Sequence, residues 1–245
     1  MVTLLLGFIF STTIAMTAYA KRSLNDSGAM MAIMLGTIIY GAAGWFAFLY
    51  LILFFLSSTV LGRFAKEKKP SNRNGFQVFA NGGLAALFAV LHFFYNSDLY
   101  YILFFLSVTI SASDTWSSEI GRLSKKLPRH IFTYKVMQAG LSGGVTLLGF
   151  FGSILASIIF ALLSWIVLNN FFVVLLVAGF GILGSIIDSM LGTIQVKYLN
   201  EGNVSEDRTE ASEVASGVRW LSNNLVNFFA NLFTILLFVV FYTGL

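Results

Sequence analysis

All Lys and Arg residues of this 245-residue chain fall into four groups that are separated by long apolar runs. A charged side chain at the centre of a bilayer costs about 2.5–3.5 kcal/mol on insertion scales, so these runs predict transmembrane helices. Only 11% of the residues are charged, against roughly 25% in a soluble domain, which means that the chain needs lipid as its solvent. The four groups are Lys21 and Arg22; Arg63, Lys66, Lys68, Lys69 and Arg73; Arg122, Lys125, Lys126, Arg129 and Lys135; and Lys197, Arg208 and Arg219.

The lengths of the apolar runs predict how often the chain crosses the membrane. The positive-inside rule places all four cationic groups on the cytoplasmic side, so an even number of spans must separate neighbouring groups. At about 20 residues per crossing, the run 27–62 is long enough for two helices, with a turn at 41–44. The predicted spans are residues 3–20, two within 27–62, 76–95, 99–117, 140–168, 171–195 and 220–242.

We therefore predict an all-α, polytopic integral membrane helical bundle of about eight transmembrane helices, with the N- and C-termini outside. Residues 1–245 would form a single transmembrane domain with cytoplasmic loops 63–75, 118–139 and 196–218. The first span is interpreted as a retained helix, because its charges follow the apolar run and a secretory signal has them in front. The predicted location is the cytoplasmic membrane of the cell.

Three carboxylates lie within or at the end of predicted spans: Asp114, Glu119 and Asp188. Such residues usually face a polar cavity and mark a site, although an interhelical hydrogen bond is the structural alternative for Asp188. Asp114 and Glu119 are five residues apart, about 500° around a helix, so they share a side only loosely. Carboxylates suit Mg²⁺, which binds one or two of them together with waters and substrate phosphates.

Polar amides and glycines recur beside these carboxylates. Arg73 and Asn81 lie on one predicted helix face, and Asn223 and Asn227 lie on another, which also carries Asn231. The asparagines suit interhelical hydrogen bonds or the binding of a metal or phosphate. The glycine-rich segment Ser142-Gly143-Gly144 suits either close packing or a phosphate held by backbone N–H groups. The acidic residues of loop 196–218 are interpreted as a solvated loop or a short amphipathic helix.

In this order, the motifs resemble the integral membrane family catalogued as DUF92, which includes the transmembrane protein 19 group and plant phytyl-phosphate kinases. The resemblance runs from about residue 30 to the C-terminus, and Leu141-Ser142 stand where the family commonly has Gly-Thr. It implies phosphoryl transfer to an isoprenyl phosphate. The matching segments are Asn72-Arg73-Asn74, Gln77 to Gly83, Ser113-Asp114-Thr115, Ser118 to Gly121, Ser142 to Gly149, Gly184-Ser185, Asp188-Ser189, Leu191-Gly192, Gln195 and Asn223 to Asn227.

A weaker, local resemblance covers the segment from Asp114 to Gly144. It is similar to the loop of CTP-dependent dolichol and phytol kinases and of phosphatidate cytidylyltransferases. This resemblance implies a nucleoside triphosphate site, for CTP or ATP. The matching positions are Asp114, Gly121-Arg122, Lys125-Lys126, Lys135 and Gly143-Gly144.

The resulting hypothesis is a Mg²⁺-dependent prenyl-phosphate kinase with its active site on the cytoplasmic face. It would transfer a phosphoryl group from CTP or ATP to phytyl or geranylgeranyl monophosphate and release the diphosphate. Its expected partners are these substrates and membrane lipid, and not nucleic acid. The predicted catalytic residues are Asp114, Glu119, Asp188 and Lys135, with the three carboxylates holding the metal; the predicted phosphate-binding residues are Arg73, Asn81, Arg122, Lys125, Ser142, Gly143, Gly144, Asn223 and Asn227.

Two alternatives stay open. A secondary transporter of a small or lipid-like anion would also carry acidic residues near interrupted helices, and echoes between Asn81-Gly82-Gly83 and Ser142-Gly143-Gly144 hint at the internal repeat that is common in transporters. A cytidylyltransferase that forms a CDP-lipid is the enzymatic neighbour. Asp114 leads directly into a basic loop, which favours an enzyme at the membrane face over a transport site near the midplane.

Overall fold

The computed structural model describes residues 2–64, 72–200, 202–209 and 212–244. Within these ranges, the prediction of an all-helical membrane bundle is confirmed. Six of the seven described helices are long and apolar enough to cross a membrane, and α4 is the more polar exception. The helices are α1 (Val2–Ala20), α2 (Asp26–Phe64), α3 (Gly75–Tyr95), α4 (Asp98–Gly121), α5 (Leu147–Leu168), α6 (Phe171–Gly192) and α7 (Asn223–Thr243).

Helix α2 is two antiparallel limbs that meet at Gly44, where φ is 83° and ψ is −179°. A methyl group placed on Gly36 would lie 3.2 Å from Cε2 of Phe48. A straight helix would separate residues twelve apart by about 18 Å, so the chain must reverse between them. The two limbs match the two spans predicted within 27–62, and with the other six described helices they give eight helical segments. Eight membrane crossings stay a prediction, because α4 is too polar to qualify as a span by its composition.

Helix α4 is the centre of the bundle. Every residue from Ile102 to Ser113 is buried, and the helix packs against α2, α3, α5, α6 and α7. A helix that is buried on all sides lies in the core. The hydroxyl of Tyr50 on α2 lies 2.8 Å from Thr109 Oγ1 on α4 and donates to the carbonyl of Phe160 on α5, also at 2.8 Å. Asp114 follows this buried stretch directly, so packing fixes its position.

Short turns join the helices at the face opposite the cationic groups. Residues 96–97 connect α3 to α4, and residues 169–170 connect α5 to α6. Asn96 and Asn169 adopt left-handed conformations, with φ of 45° and 44°, and their N–H groups donate to carbonyls of the preceding helices. Asparagine tolerates this conformation better than most residues. Both turns lie where the sequence predicts them.

The connections on the other face form two small antiparallel sheets. Strands β1 (Arg129–His130) and β2 (Gly144–Val145) pair in the loop between α4 and α5. Strand β3 (Lys197–Asn200) lies between β4 (Asn203–Ser205) and β5 (Glu213–Ser216) in the loop between α6 and α7. The sequence predicts this second loop to be solvated or helical, so the sheet is a correction. Three-stranded pairing satisfies backbone groups that a plain loop would leave to water.

Two helix boundaries on this face also differ from the predicted spans. Helix α5 begins at Leu147 and not at residue 140, because Gly140 and Gly143 take positive φ values of 85° and 86°. The hydroxyl of Thr146 then caps the helix by accepting a hydrogen bond from the N–H of Gly149 at 3.0 Å. Helix α4 continues to Gly121, so Glu119 lies on the helix and not in the predicted loop.

Candidate functional site

The side chains of Asp114 on α4 and Asp188 on α6 lie within hydrogen-bonding range of each other. The two helices approach closely here, since a methyl group on Gly184 would lie 2.6 Å from Cγ2 of Ile110. Asp188 is four residues from the end of α6, so the pair lies near the face that carries the sheets. Two carboxylates in contact repel each other unless a proton or a cation lies between them.

Amide groups surround this carboxyl pair. The side-chain amide of Asn227 on α7, oriented with its nitrogen toward α6, donates to Asp188 Oδ2 at 3.0 Å and to the carbonyl of Asn223 at 2.9 Å. Asn81 on α3 lines the same small cavity as the pair. Its backbone carbonyl accepts a hydrogen bond from Ser111 Oγ at 2.9 Å. Oxygen and amide groups from four helices therefore converge on one point.

Asn231 extends the polar face of α7 deeper into the bundle. Its side-chain nitrogen donates to the carbonyl of Ser107 at 2.9 Å and to Ser111 Oγ at 3.1 Å. The asparagines predicted to share one face of α7 do make contacts on that face, and these contacts are of two kinds. Asn231 binds the helices together, whereas Asn227 contacts the carboxyl pair.

Ser142 and Glu206 form the rim of the site. The backbone N–H and the hydroxyl of Ser142 both donate to the carboxylate of Glu206, and the hydroxyl lies 3.4 Å from Asn223 Oδ1. The negative charge of Glu206 also acts on Asp188. The loop between α4 and α5 and the loop between α6 and α7 are therefore joined directly beside the carboxyl pair.

The sequence profile of the integral membrane protein family DUF92 matches residues 9–235. The chain belongs to this family. It is 32% identical to Protein PGR of Arabidopsis thaliana, over 94% of the chain and 93% of that protein. It is 28% identical to an uncharacterized membrane protein of Methanocaldococcus jannaschii, over 79% of the chain and 84% of that protein. No solved structure matches the chain.

A third relative of this DUF92 protein is VTE6 of Arabidopsis thaliana, which is chloroplastic by name. The identity is 27%, over 64% of the chain and 50% of VTE6. The family match makes the chain an integral, multi-pass membrane protein. Because one relative is chloroplastic, the cytoplasmic membrane stays a prediction for this chain.

Glu119 lies apart from the carboxyl pair of the DUF92 protein. Its carboxylate accepts from the guanidinium of Arg122 at 3.3 Å and lies next to Gly62 of α2. In the ranges that the structure describes, no three His, Cys, Asp or Glu side chains lie close enough to hold one metal ion together, so the predicted set of three carboxylate ligands is not assembled. Five residues of helix rotate Glu119 away from Asp114, so the geometry does not support Glu119 as a direct ligand beside the pair.

The loop cations predicted for catalysis or phosphate binding lie on the protein surface. Arg122, Lys125 and Lys135 are exposed on the loop between α4 and α5. Arg122 contacts Glu119, and Lys135 lies next to the turn of β1, where its carbonyl accepts from His130. Long cationic side chains on a loop keep their charge in water when no buried partner holds them.

Lys197 and Glu206 are the site residues that the sequence analysis missed. Lys197 is buried, and its ammonium group donates to the carbonyls of Gly192 and Thr193, both at 3.4 Å. Burial lowers the pKa of Lys197, and the charge of Glu206 opposes that shift. Glu206 lies 64 positions from its partner Ser142, so local sequence carries no signal for this contact.

Gly143 has a packing role at the edge of the site. A methyl group on it would lie 2.8 Å from Cγ2 and 3.0 Å from the backbone N of Thr193, at the end of α6. Its carbonyl accepts from the N–H of Ile131 at 3.0 Å. Gly143 thus holds the loop of Ser142 against α6, and phosphate binding by Gly143 and Gly144 stays a prediction.

Arg73 lies on the side of Asn81 that faces away from the carboxyl pair. Its backbone N–H donates to the carbonyl of Ser23 at 3.2 Å, and its guanidinium donates to Thr59 Oγ1 at 3.3 Å. The guanidinium carbon also lies 5.4 Å from the ring centroid of Phe55, in a cation–π contact. Burial lowers the pKa of Arg73, and the charge of Glu119 opposes this.

Proposed function

We propose that this DUF92 protein is a membrane kinase that transfers a phosphoryl group from a nucleoside triphosphate to an isoprenyl monophosphate. The observation that carries the proposal is the contact of Asp114 and Asp188 beside amide groups at one end of the bundle. Carboxyl and amide groups arranged in this way suit a cation and phosphates, and the pair lies near the end of α6, close to the connecting loops. The motif resemblance to plant phytyl-phosphate kinases supports the class of acceptor.

Phosphoryl transfer requires the protein to position the two substrates and to neutralise the negative charge of their phosphates. An oxygen of the acceptor phosphate forms a bond to the γ-phosphorus of the donor, and the bond from that phosphorus to its bridging oxygen breaks. The nucleoside diphosphate leaves with the electron pair, and the isoprenyl diphosphate is the other product. The acceptor phosphate is already an anionic nucleophile, so no general base is needed. Such transfer depends almost entirely on positioning and on neutralised charge.

The donor set around the carboxyl pair fits Mg²⁺. Asp114 and Asp188 supply hard oxygen ligands, and Mg²⁺ commonly takes one or two carboxylates and completes its shell with water and substrate phosphates. A bound Mg²⁺ would relieve the repulsion within the pair and neutralise charge that develops on the phosphates. Asn227 fixes one oxygen of Asp188 by its hydrogen bond, and thereby sets which oxygen faces the cavity.

The remaining residues suggest a division of the site into two halves. Ser142, Lys197 and Glu206 lie on the side of α6 and the sheets, where we place the donor nucleotide, CTP or ATP. Arg73 and Asn81 lie on the side of α3, where we place the acceptor phosphate. Arg122, Lys125 and Lys135 on the surface loop would attract the polyanionic nucleotide over a distance.

The decisive experiment is mass spectrometry of products made by the purified protein with a panel of isoprenyl monophosphates, each nucleoside triphosphate and Mg²⁺. We expect an isoprenyl diphosphate and an equal amount of nucleoside diphosphate. Asp114→Asn should lose this activity, while Asp98→Asn should keep it, because Asp98 is exposed at the opposite end of the same helix.

The same experiment separates the alternatives. Pyrophosphate and a CDP-lipid as products would identify a cytidylyltransferase. Substrate-dependent ion flux in proteoliposomes without nucleotide would identify a transporter. The kinase proposal fails if no combination of donor and acceptor gives a diphosphate.

A further inference from the structure

A second, apolar cavity lies between α1, the two limbs of α2 and α3. Its lining is aliphatic and aromatic along most of its length, and Ser11 is the polar residue that contributes to this stretch. Cavities of this composition bind hydrocarbon, with a few polar groups that fix its orientation. The apolar lining includes Ala32, Leu35, Phe48, Leu51, Phe54 and Phe55.

The other polar groups of the lining lie together at one end. They belong to Arg73, Gln77, Asn81 and Thr115, at the start of α3 and near the end of α4. Gly36 and Phe48 line the opposite end, closer to the reversal of α2 at Gly44. The cavity therefore has the polarity of an amphiphile: a polar head at the membrane face and an apolar tail inside the bundle.

Arg73 makes this head end cationic. Among the described residues, no carboxylate lies within the 4.0 Å of an ion pair with Arg73. Its guanidinium contacts the hydroxyl of Thr59 and the ring of Phe55, which leaves donors for an incoming ligand. The charge of Glu119 acts on Arg73 from beyond ion-pair distance. A half-buried guanidinium that has no ion pair among the described residues is complementary to a phosphate, which it binds through paired N–H groups.

The two cavities adjoin at Asn81, which lines both of them. Thr115 lines the apolar cavity, and its neighbour Asp114 lines the cavity of the carboxyl pair. A phosphate bound at Arg73 would thus lie at the polar end of the apolar cavity, which Asn81 and Thr115 connect to the carboxyl pair, while its chain stays among the apolar residues. This is the geometry that an acceptor lipid requires.

We propose that the apolar cavity holds the hydrocarbon chain of an isoprenyl monophosphate and that Arg73 binds its phosphate. The inference rests on the proposed function and names the acceptor subsite within it. Helix α1 and the two limbs of α2 then form the wall that selects the chain. Ala32 lies six residues into α2, about 9 Å along the helix, so a larger side chain there blocks the tail and spares the head end.

The test is equilibrium binding of radiolabelled geranylgeranyl monophosphate to the purified protein, without nucleotide, compared with the uncharged alcohol geranylgeraniol. Ala32→Phe should weaken the binding of both ligands at least tenfold, because it fills the cavity. Arg73→Gln should weaken binding of the monophosphate at least tenfold and change binding of the alcohol less than threefold. Met34→Phe is the matched control, since Met34 is exposed on the same limb of α2 and should bind both ligands like the unmodified protein.

The outcomes separate this inference from the proposed function. If the unmodified protein makes the diphosphate but Ala32→Phe and Arg73→Gln bind both ligands normally, the acceptor lies elsewhere and the inference fails alone. If the unmodified protein neither binds nor phosphorylates any isoprenyl monophosphate, both fail. Displacement by phosphatidic acid as effective as by unlabelled monophosphate would make the cavity a general anionic-lipid site and overturn the assignment. Ala32→Leu, a smaller change, replaces Ala32→Phe if that variant does not purify as a single species.

Discussion

Asp114 and Glu119 lie on the same helix and end in different environments. Asp114 meets Asp188 and the amide groups of α3 and α7 inside the bundle. Glu119, whose own side chain is 12% exposed, pairs with Arg122, whose side chain is 49% exposed, near the end of the helix, and only its charge acts on Asp114. The environment of an acidic residue at the end of a membrane helix therefore depends on the helices that pack around it. Its closeness in sequence to another acidic residue does not determine that environment. The contrast predicts a steep gradient of mutational effects across one helix end.

The largest loss of activity is expected when a residue of the Asp114–Asp188 pair is replaced. Asp188→Asn removes one carboxylate from the pair, and loss of such an electrostatic group costs about 10²–10³-fold in turnover. The rate of diphosphate formation by the purified variant measures this. The double variant Asp114→Asn with Asp188→Asn should be no slower than the slower single variant, because the two groups act as one unit. Additive losses would contradict a shared site.

A smaller loss of activity is expected when both carboxyl groups of the pair stay and a hydrogen bond to one of them is removed. Asn227→Leu deletes the hydrogen bond to Asp188 Oδ2, and hydrogen bonds to charged groups contribute about 1.5–3 kcal/mol. We expect a fall in activity of about 10–100-fold, measured in the same assay. Asn224→Leu is the control on the neighbouring helix face. Equal losses in both variants would show that the helix, and not the contact with Asp188, is affected.

Substitutions at Gly143, at the edge of the site, should lower the stability of the protein. Gly143→Ala forces a side chain into the backbone of Thr193 at a positive φ, and we expect a loss of about 1–3 kcal/mol. Gly140→Ala has the same backbone strain, with φ of 85°, and open space around its new methyl group. Thermal unfolding followed by tryptophan fluorescence should place the melting temperature of Gly143→Ala below that of Gly140→Ala. The reverse order would remove the packing role assigned to Gly143.

The smallest effect is expected for Glu119→Gln. The side chain of Glu119 is 12% exposed, but its partner Arg122 is 49% exposed, and ion pairs that reach solvent contribute about 0–1 kcal/mol. Activity should change less than about threefold, and Arg122→Gln should behave alike. A loss of tenfold or more in Glu119→Gln alone would return Glu119 to the carboxyl pair and make the sequence-based metal site correct.

The fold was largely predictable from the sequence because a membrane permits few kinds of spanning structure. The positions of Lys and Arg and the lengths of the apolar runs are enough to place the spans, including the reversal of α2 near Gly44. The small sheets were not predictable in this way. The pairing of β1 with β2 joins residues far apart in the chain, such as Arg129 with Val145. Strands β3 and β4 pair locally, but all five described strands are too short to carry a strand pattern.

Several residues that the sequence singled out lie together in the structure, although their functional roles stay predictions. The grouping itself was less predictable. The cost of burying Asp114, Asp188 and the asparagines singled them out, and the structure brings them together. The same reasoning gave equal weight to Lys125 and Lys135, since a sequence does not say which way a loop side chain points. Glu206 was overlooked because it is one of several acidic residues in its loop, and nothing in the sequence shows that it accepts two hydrogen bonds from Ser142.

The two-residue turns at Asn96 and Asn169 have a mechanical consequence. They tie α3 to α4 and α5 to α6 at the end away from the carboxyl pair. Asp114 and Asp188 therefore belong to two different helix hairpins, and their contact is a contact between the hairpins. A small shift of one hairpin against the other would change the separation of the two carboxyl groups while each hairpin stays intact. The hydrogen bonds between Ser142 and Glu206, which join the long connections that follow the two hairpins, oppose such a shift.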